Sequence, residues 1–196
     1  HDSIYLGEDG PTHQPVEHLM SLRLIPNVDV IRPSNSIEMN HSYRYAFSDS
    51  KNPKVLSLTR QDLDYLDIDV KYDEFIKGGY VVSDGDDFTI IASGSELEIA
   101  FKIKAALLEY SIRIVSVPIL NKLSNMKNEE INELLKNKHV FPIELGRSIG
   151  WESYLGRLTK TFSIDTFGES APIEDLEKNF GFDIPSITKE IIKYLN

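Results

Sequence analysis

His1-Asp2-Ser3-Ile4-Tyr5-Leu6-Gly7-Glu8-Asp9-Gly10-Pro11-Thr12-His13-Gln14-Pro15-Val16-Glu17 opens the chain, and the rest of the sequence is read outward from it. His1, Asp2, Glu8, Asp9 and His13 crowd a loop shaped by Gly7, Gly10 and Pro11. Glycine permits backbone angles that other residues avoid, and proline fixes one. Pro15 suits the first turn of a helix, where its missing N–H would be unpaired anyway. A shaped polar loop therefore brings imidazoles and carboxylates to one place just before a helix, and loops on a rigid scaffold are where binding groups collect. On spacing alone, a solvated acidic turn is the favoured reading of these residues.

The next stretch has the pattern of a parallel βαβ unit. His1 to Leu6 reads as a strand or its end, and Pro15 to Ile25 as a helix with Val16, Leu19, Met20 and Leu24 apolar. Val28 to Ile31 is a short β-branched strand closed by Pro33. Asn35 and Glu38 have capping-box spacing, and the helix after them carries Met39, Tyr43, Ala46 and Phe47 on one face. Lys54 to Thr59 is the second strand. Strand, helix, strand predicts a right-handed crossover. Ligands of open α/β sheets bind at the carboxyl ends of the strands, where Arg60 stands.

Residues 61–77 lose this periodicity and read as an acidic, solvated connection. Gly78-Gly79 opens a second α/β pattern. Tyr80–Ser83 and Phe88–Ala92 flank Asp84-Gly85-Asp86, a hairpin signal. A helix from Ser95 turns Leu97, Ala100, Ile103 and Leu107 inward. Strands are expected at Ile112–Val117, His139–Leu145 (bent or at an edge because of Pro142) and Leu158–Ile164. Helices are expected after Asn128, over Trp151–Leu155, from Pro172 to Gly181, and from about Pro185. Alternating strands and helices predict a layered α/β domain.

Composition narrows the function classes. A formal net charge of -10 over 196 residues argues against a nucleic-acid footprint and against an acidic membrane surface. It leaves a phosphorylated substrate open, because a few placed cations decide that locally. No run approaches the ~18 apolar residues of a membrane helix, and no secretory signal pattern opens the chain. Zero cysteines exclude disulfides and thiolate metal sites within the chain, which is compatible with a cytoplasmic location. The first residue is His rather than Met, so a fragment or processed form is expected.

As a string, the opening stretch resembles the transketolase signature of the thiamine-diphosphate pyrimidine-binding domain. The resemblance continues through Ser21-Leu22-Arg23, Arg32-Pro33, Leu58-Thr59-Arg60-Gln61, Gly78-Gly79-Tyr80, Ala92-Ser93-Gly94-Ser95-Glu96 and Thr166-Phe167-Gly168-Glu169-Ser170-Ala171-Pro172. It covers essentially the whole chain. Pyruvate dehydrogenase beta chains and deoxyxylulose-phosphate synthase share the architecture but usually lack the Gly7–Gln14 run. The resemblance implies the end of a pyrimidine-binding domain over 1–62, an acidic linker over 63–77, and a three-layer α/β/α C-terminal domain over 78–196.

What the resemblance implies about chemistry follows residue by residue. Transketolases move a two-carbon ketol unit between sugar phosphates, a step of the pentose phosphate pathway, with thiamine diphosphate and a divalent metal (Mg or Ca). Four residues fall on substrate-binding positions. His1 aligns with the histidine that contacts the substrate phosphate, and Arg60 with the phosphate-clamping arginine, whose planar fork lysine cannot imitate. Asp9 aligns with the carboxylate that accepts a hydrogen bond from a donor hydroxyl, and His13 with the histidine beside the reacting centre. Glu169 matches a family motif without a chemical task.

No Gly-Asp-Gly followed by Asn is present to hold metal and diphosphate, and the catalytic glutamate of the family lies outside this sequence. The expectation is therefore no catalytic, cofactor-binding or metal residue in this chain, no activity by the chain alone, and a homodimer in the full-length protein. Residues 75–196 are expected to be self-sufficient, with the front part leaning on them. The competing reading is a non-catalytic regulatory, ligand-binding or dimerisation module.

Overall fold

Phe88-Thr89-Ile90-Ile91-Ala92 has apolar side chains on both faces, and it forms the most enclosed strand of the protein. The structure is a computed structural model that describes residues 1–48 and 51–195. Four strands make the main sheet: β3 (Tyr80–Ser83), β4 (Phe88–Ala92), β5 (Ile112–Ser116) and β6 (His139–Ile143). Their order is β3-β5-β4-β6, with β4 parallel to both neighbours and β3 antiparallel to β5. The hairpin expected across Asp84-Gly85-Asp86 is not formed, because β5 lies between β3 and β4. The turn instead wraps the start of β5. Asp87 N donates to Ser111 O at 2.9 Å, and Gly85 lies so close to the Ile112–Arg113 backbone that any Cβ would overlap it.

Phe88, Ile90 and Ala92 join one core with α4 (Glu96–Ala106) and α8 (Ile184–Leu195). Ile91, Val115 and Val140 join a second core with α5 (Asn128–Leu135) and α6 (Trp151–Leu155) on the opposite face. This is the expected α/β/α layering, and Leu97, Ala100, Ile103, Ile131, Leu134, Ile187 and Ile191 are buried as the helical spacing requires. Pro142 sits in the edge strand β6, where a missing N–H is tolerated. The strand expected over Leu158–Ile164 shrinks to one bridge, Ile143 with Phe162. Helix α7 (Ile173–Phe180) starts after Pro172 and stops at Gly181, whose φ of 71° is the left-handed cap.

In the front part, β1 (Asp29–Ile31) and β2 (Lys54–Leu56) pair in parallel across α2 (Ser36–Ser48), the expected βαβ unit. Helix α2 turns its Tyr43–Phe47 face outward. Tyr43 and Phe47 stack on each other at the surface, Phe47 at 84% exposure, while Glu38, Ser42 and Tyr45 are buried. Directional bonds explain this orientation. Glu38 accepts from Ser34 N at 2.6 Å, Ser34 Oγ at 2.9 Å, Tyr80 Oη at 2.7 Å and Ser116 Oγ at 2.6 Å. Tyr45 Oη donates to Asp29 at 2.7 Å. Asn35 caps Glu38 N as predicted, but the Glu38 carboxylate answers to Ser34 rather than to Asn35.

Two further expectations are corrected. The opening residues form a 3-10 turn over Ile4–Asp9, not a strand, because Ser3 Oγ accepts from Tyr5 N at 3.3 Å and caps a helical turn there. The following helix, α1 (His18–Arg23), starts after a series of turns rather than at Pro15. The acidic stretch is also more than a solvated loop: Ile68, Val70 and Phe75 are buried, and α3 (Tyr72–Phe75) packs against α2.

Candidate functional site

The opening loop folds on itself through backbone bonds. Gly10 N donates to Gly7 O at 3.1 Å, and His13 N and Gln14 N both donate to Gly10 O, at 3.0 and 3.2 Å. Gly10 has φ 72°, which lets the chain reverse between Asp9 and His13. Thr12 Oγ1 bridges the two, at 3.4 Å from Asp9 O and 2.9 Å from His13 Nδ1. Arg60, four residues past the end of β2, reaches across and pairs with Asp9. Both side chains remain about half exposed, at 53% and 43%, so solvent screens the pair and it contributes little to stability.

Three of the four sequence-predicted residues thus share one surface patch. His1 is placed differently. It is exposed and, among the described residues, makes no side-chain hydrogen bond or ion pair, while its neighbour Asp2 is buried. A cavity of about 340 Å³ adjoins the patch through Tyr5 and Gln61 and is lined further by Glu98, Lys102, Glu177 and Phe182; none of the four predicted residues lines it. Tyr5 donates to Glu177 at 2.9 Å, and burial together with that carboxylate raises its phenol well above the usual range. Tyr5 is therefore a donor at every physiological pH.

Beneath the loop lies a buried charge network that the sequence reading did not anticipate. The guanidinium of Arg32 is wholly buried; Nη2 donates to Asp2 Oδ2 at 2.8 Å and Glu96 Oε2 at 2.9 Å, and Nη1 to Glu144 Oε1 at 2.9 Å. Arg23 forks onto Glu144 with two bonds of 2.8 Å, and Trp151 Nε1 adds a third at 2.8 Å. Burial raises the Glu96 carboxyl, and Asp2 and Glu144 add to this against the pull of Arg32, to about 7. Burial also works to raise Glu144, but Arg23, Arg32 and Trp151 outweigh it and hold the carboxyl at about 2. Gly94 sits against Arg32, which is 3.2 Å from where a Cβ would stand, and has φ 62°, so glycine is required there. The Arg32-Pro33 and Gly94-Ser95-Glu96 segments were visible as motifs, but nothing in either shows that they meet.

Among the described residues no group of three or more His, Asp or Glu side chains could hold a metal ion. The Asp9 carboxylate is already paired with Arg60, and the buried carboxylates of Asp2, Glu96 and Glu144 are paired with arginines. These residues do not fit a metal–diphosphate site.

Comparison with known proteins gives the family. The family model for the transketolase-like TK C-terminal domain matches residues 78–183, and that for the transketolase pyrimidine binding domain matches residues 1–64. The chain belongs to the transketolase family. The transketolase of Bacillus subtilis is 38% identical over 208 aligned positions, which cover 100% of this chain and 31% of that protein. Among solved structures, the Leishmania mexicana transketolase superposes with a TM-score of 0.90 at 35% identity, covering 100% of this chain and 29% of the other. A Pichia stipitis transketolase in complex with sedoheptulose 7-phosphate also superposes at 0.90, with 31% identity and the same coverage. The chain thus spans less than a third of the length of these transketolases. The family implies thiamine diphosphate chemistry, and no helix among the described residues is long and apolar enough to cross a membrane.

Proposed function

We propose that the chain furnishes the sugar-phosphate-gripping side of a transketolase, an enzyme that moves a two-carbon ketol unit between phosphorylated sugars. The observation that carries this reading is the meeting of Arg60 with the loop of Asp9 and His13, from opposite ends of the front segment. Without substrate the guanidinium rests on the Asp9 carboxylate. An arriving phosphate takes the guanidinium fork, because two parallel N–H bonds to a dianion outcompete one screened carboxylate. Asp9 is then released to accept a hydrogen bond from a sugar hydroxyl, and a substrate lacking that hydroxyl leaves the carboxylate unpaired. His13 donates to the oxygen on which charge develops.

Thiamine diphosphate, when bound, supplies the carbanion-stabilising chemistry. We assign its metal (Mg or Ca) and diphosphate grip, and the residue that activates it, to sequence other than this chain. On this reading the chain alone is catalytically silent and the working enzyme is a cytoplasmic homodimer. Its segments are divided as 1–62 for substrate, 63–77 as the connecting strap and 78–196 as the supporting domain. Titrating the 196-residue chain with xylulose 5-phosphate and with xylulose tests it. Arg60→Gln is expected to weaken the phosphorylated sugar by about tenfold or more and leave the other unchanged. Equal binding of both sugars to the unmodified chain sinks the reading, and ketol transfer by the purified chain overturns its silence. The 340 Å³ cavity, close to the carboxyl end of β4 through Ser95, supports the second reading of a separate ligand-binding module. That reading gains if sugar-phosphate binding survives Arg60→Gln.

A further inference from the structure

The loop that presents Asp9 and His13 does not hold its shape alone. Gly7 and Gly10 leave its backbone free to take many conformations, and its acidic tip faces solvent. What closes it is Gln14, 2% exposed and directed inward. Its two Nε2 hydrogens are shared among Ile4 O at 3.3 Å, Gly7 O at 3.1 Å and Glu169 O at 2.9 Å. Three carbonyl oxygens converging on one atom settle the orientation of the carboxamide: reversed, its oxygen would face three oxygens. A glutamate of the same shape would meet the same conflict.

Two of those carbonyls belong to the loop, and the third to a strip of the C-terminal domain 155 residues away. The strip touches the loop at further points. Ser170 Oγ donates to Glu8 O at 2.6 Å, and a Cβ on Gly10 would stand 3.0 Å from Ser170 Cβ. A Cβ on Gly168 would overlap Gln14 Oε1. Gly168 does not have a positive φ, so its own backbone tolerates alanine and the overlap alone decides what happens there. The Glu169 carboxylate faces away, onto Asn179 Nδ2 at 2.9 Å, so Glu169 serves the loop with its backbone.

We propose that Gln14 is the positioning residue for Asp9 and His13, and that Gly168-Glu169-Ser170 is its seat, so the C-terminal domain sets where the sugar-binding groups stand. Calling them sugar-binding groups rests on the function proposed above. The consequence is a fixed distance between Asp9, on the seated loop, and Arg60, on the segment that follows β2. That distance is what a site needs to read a hydroxyl and a phosphate on one molecule.

The test uses the 196-residue chain with Gln14→Leu, which keeps volume and removes the donors, and Gly168→Ala, which displaces the carboxamide from the other side. Ile187→Val, remote in the α8 core, serves as the control for general loss of stability. Amide hydrogen exchange of Gly10, His13 and Gln14 is read against Ile90 and Ile114 in the sheet, and xylulose 5-phosphate affinity is measured alongside. Both loop variants are expected to speed exchange of the loop amides by about tenfold or more relative to the sheet. Sugar-phosphate affinity should fall by about tenfold, and the control should do neither. Loop and sheet amides shifting together, or affinity unchanged in both loop variants, overturns the positioning role. A loop that opens as expected in a chain that binds no xylulose 5-phosphate upholds the seat and overturns the sugar-phosphate reading instead.

Discussion

Between Tyr80 and Leu195, four strands are covered on both faces by helices, and the buried side chains are mainly aliphatic and aromatic. Between His1 and Leu56, a two-stranded sheet buries charge instead: Asp2, Arg23, Arg32 and Glu38 are all inside. Each of those four has its partner in the rear part, at Glu96, Glu144, Tyr80 or Ser116, or in a residue that bonds to it. At the same time Leu24, Tyr43 and Phe47 stay exposed at the front. Apolar burial is non-directional and tolerates small shifts. Hydrogen-bonded charges tolerate none, because a lost partner leaves a desolvated charge. The rear is therefore held by volume and the front by direction, and direction is what a site of a few polar groups requires.

Arg32→Met breaks the comparison most severely. It removes the cation that joins Asp2 at the front to Glu96 and Glu144 at the rear and leaves carboxylates buried without it. Breaking one side of such a network costs on the order of 3–5 kcal/mol. Urea denaturation should show that loss, and amides of residues 1–31 should lose exchange protection before those of β4. Uniform loss across both halves would mean that the front is not oriented by this network.

The same network gives the chain a pH dependence of known sign. Glu96 titrates at about 7 in the folded chain against an ordinary value of 4.5. Between those values the unfolded chain has released this proton and the folded chain has not, so stability falls as pH rises. Glu144, held at about 2, acts the other way: its contribution is full above about 4.5 and is lost as pH falls toward 2. Asp2, Arg32, Glu144 and Ser95 surround Glu96, and burial sets the direction of its shift against the pull of Arg32. Glu96→Gln should flatten the change between pH 5 and pH 7.5, an effect on the order of 2–3 kcal/mol at most. An unchanged slope in urea midpoints would assign it to other groups.

Tyr80→Phe sharpens the contrast at the α2 seam. It removes one of the four donors to the buried Glu38 carboxylate and keeps the ring that packs beside it. A loss of about 1–3 kcal/mol is expected in thermal unfolding. A neutral result would mean that Ser34 and Ser116 suffice to hold α2 in its orientation.

These features differ in how far the chain reveals them. The rear helices were legible because their apolar spacing reports burial directly: Leu97, Ala100 and Ile103 recur at helical period and all face the core. The missing hairpin was not, because Asp84-Gly85 specifies a turn and says nothing of which strand will lie beside it. The direction in which α2 turns its stripe was not legible, for a related reason. Its apolar stripe is real, but the donors that claim Glu38 sit at Tyr80 and Ser116, far along the chain. The site residues were legible only as a string, since nothing about a lone Asp9 or Arg60 declares a partner. Gln14 stood in that string without a role, because the carbonyl that gives it one is at residue 169.

The smallest change tests the most exposed pair. Asp9→Asn removes the carboxylate on which Arg60 rests and leaves the loop amides and the Gln14 bonds in place. Because the pair is half solvated, stability should move by less than about 0.5 kcal/mol. Inorganic phosphate should bind Arg60 more tightly, by about two- to fivefold, since it no longer competes with a carboxylate. The gain should shrink as salt is added, because exposed charges are screened within about 10 Å at 0.1 M. Xylulose 5-phosphate should gain less than phosphate does, for its hydroxyl has lost an acceptor as its phosphate gains a donor. That difference between two anions sharing one phosphate group is what a patch of Asp9 and Arg60 requires. Two anions gaining alike would leave Arg60 as a lone surface cation and Asp9 as its incidental neighbour.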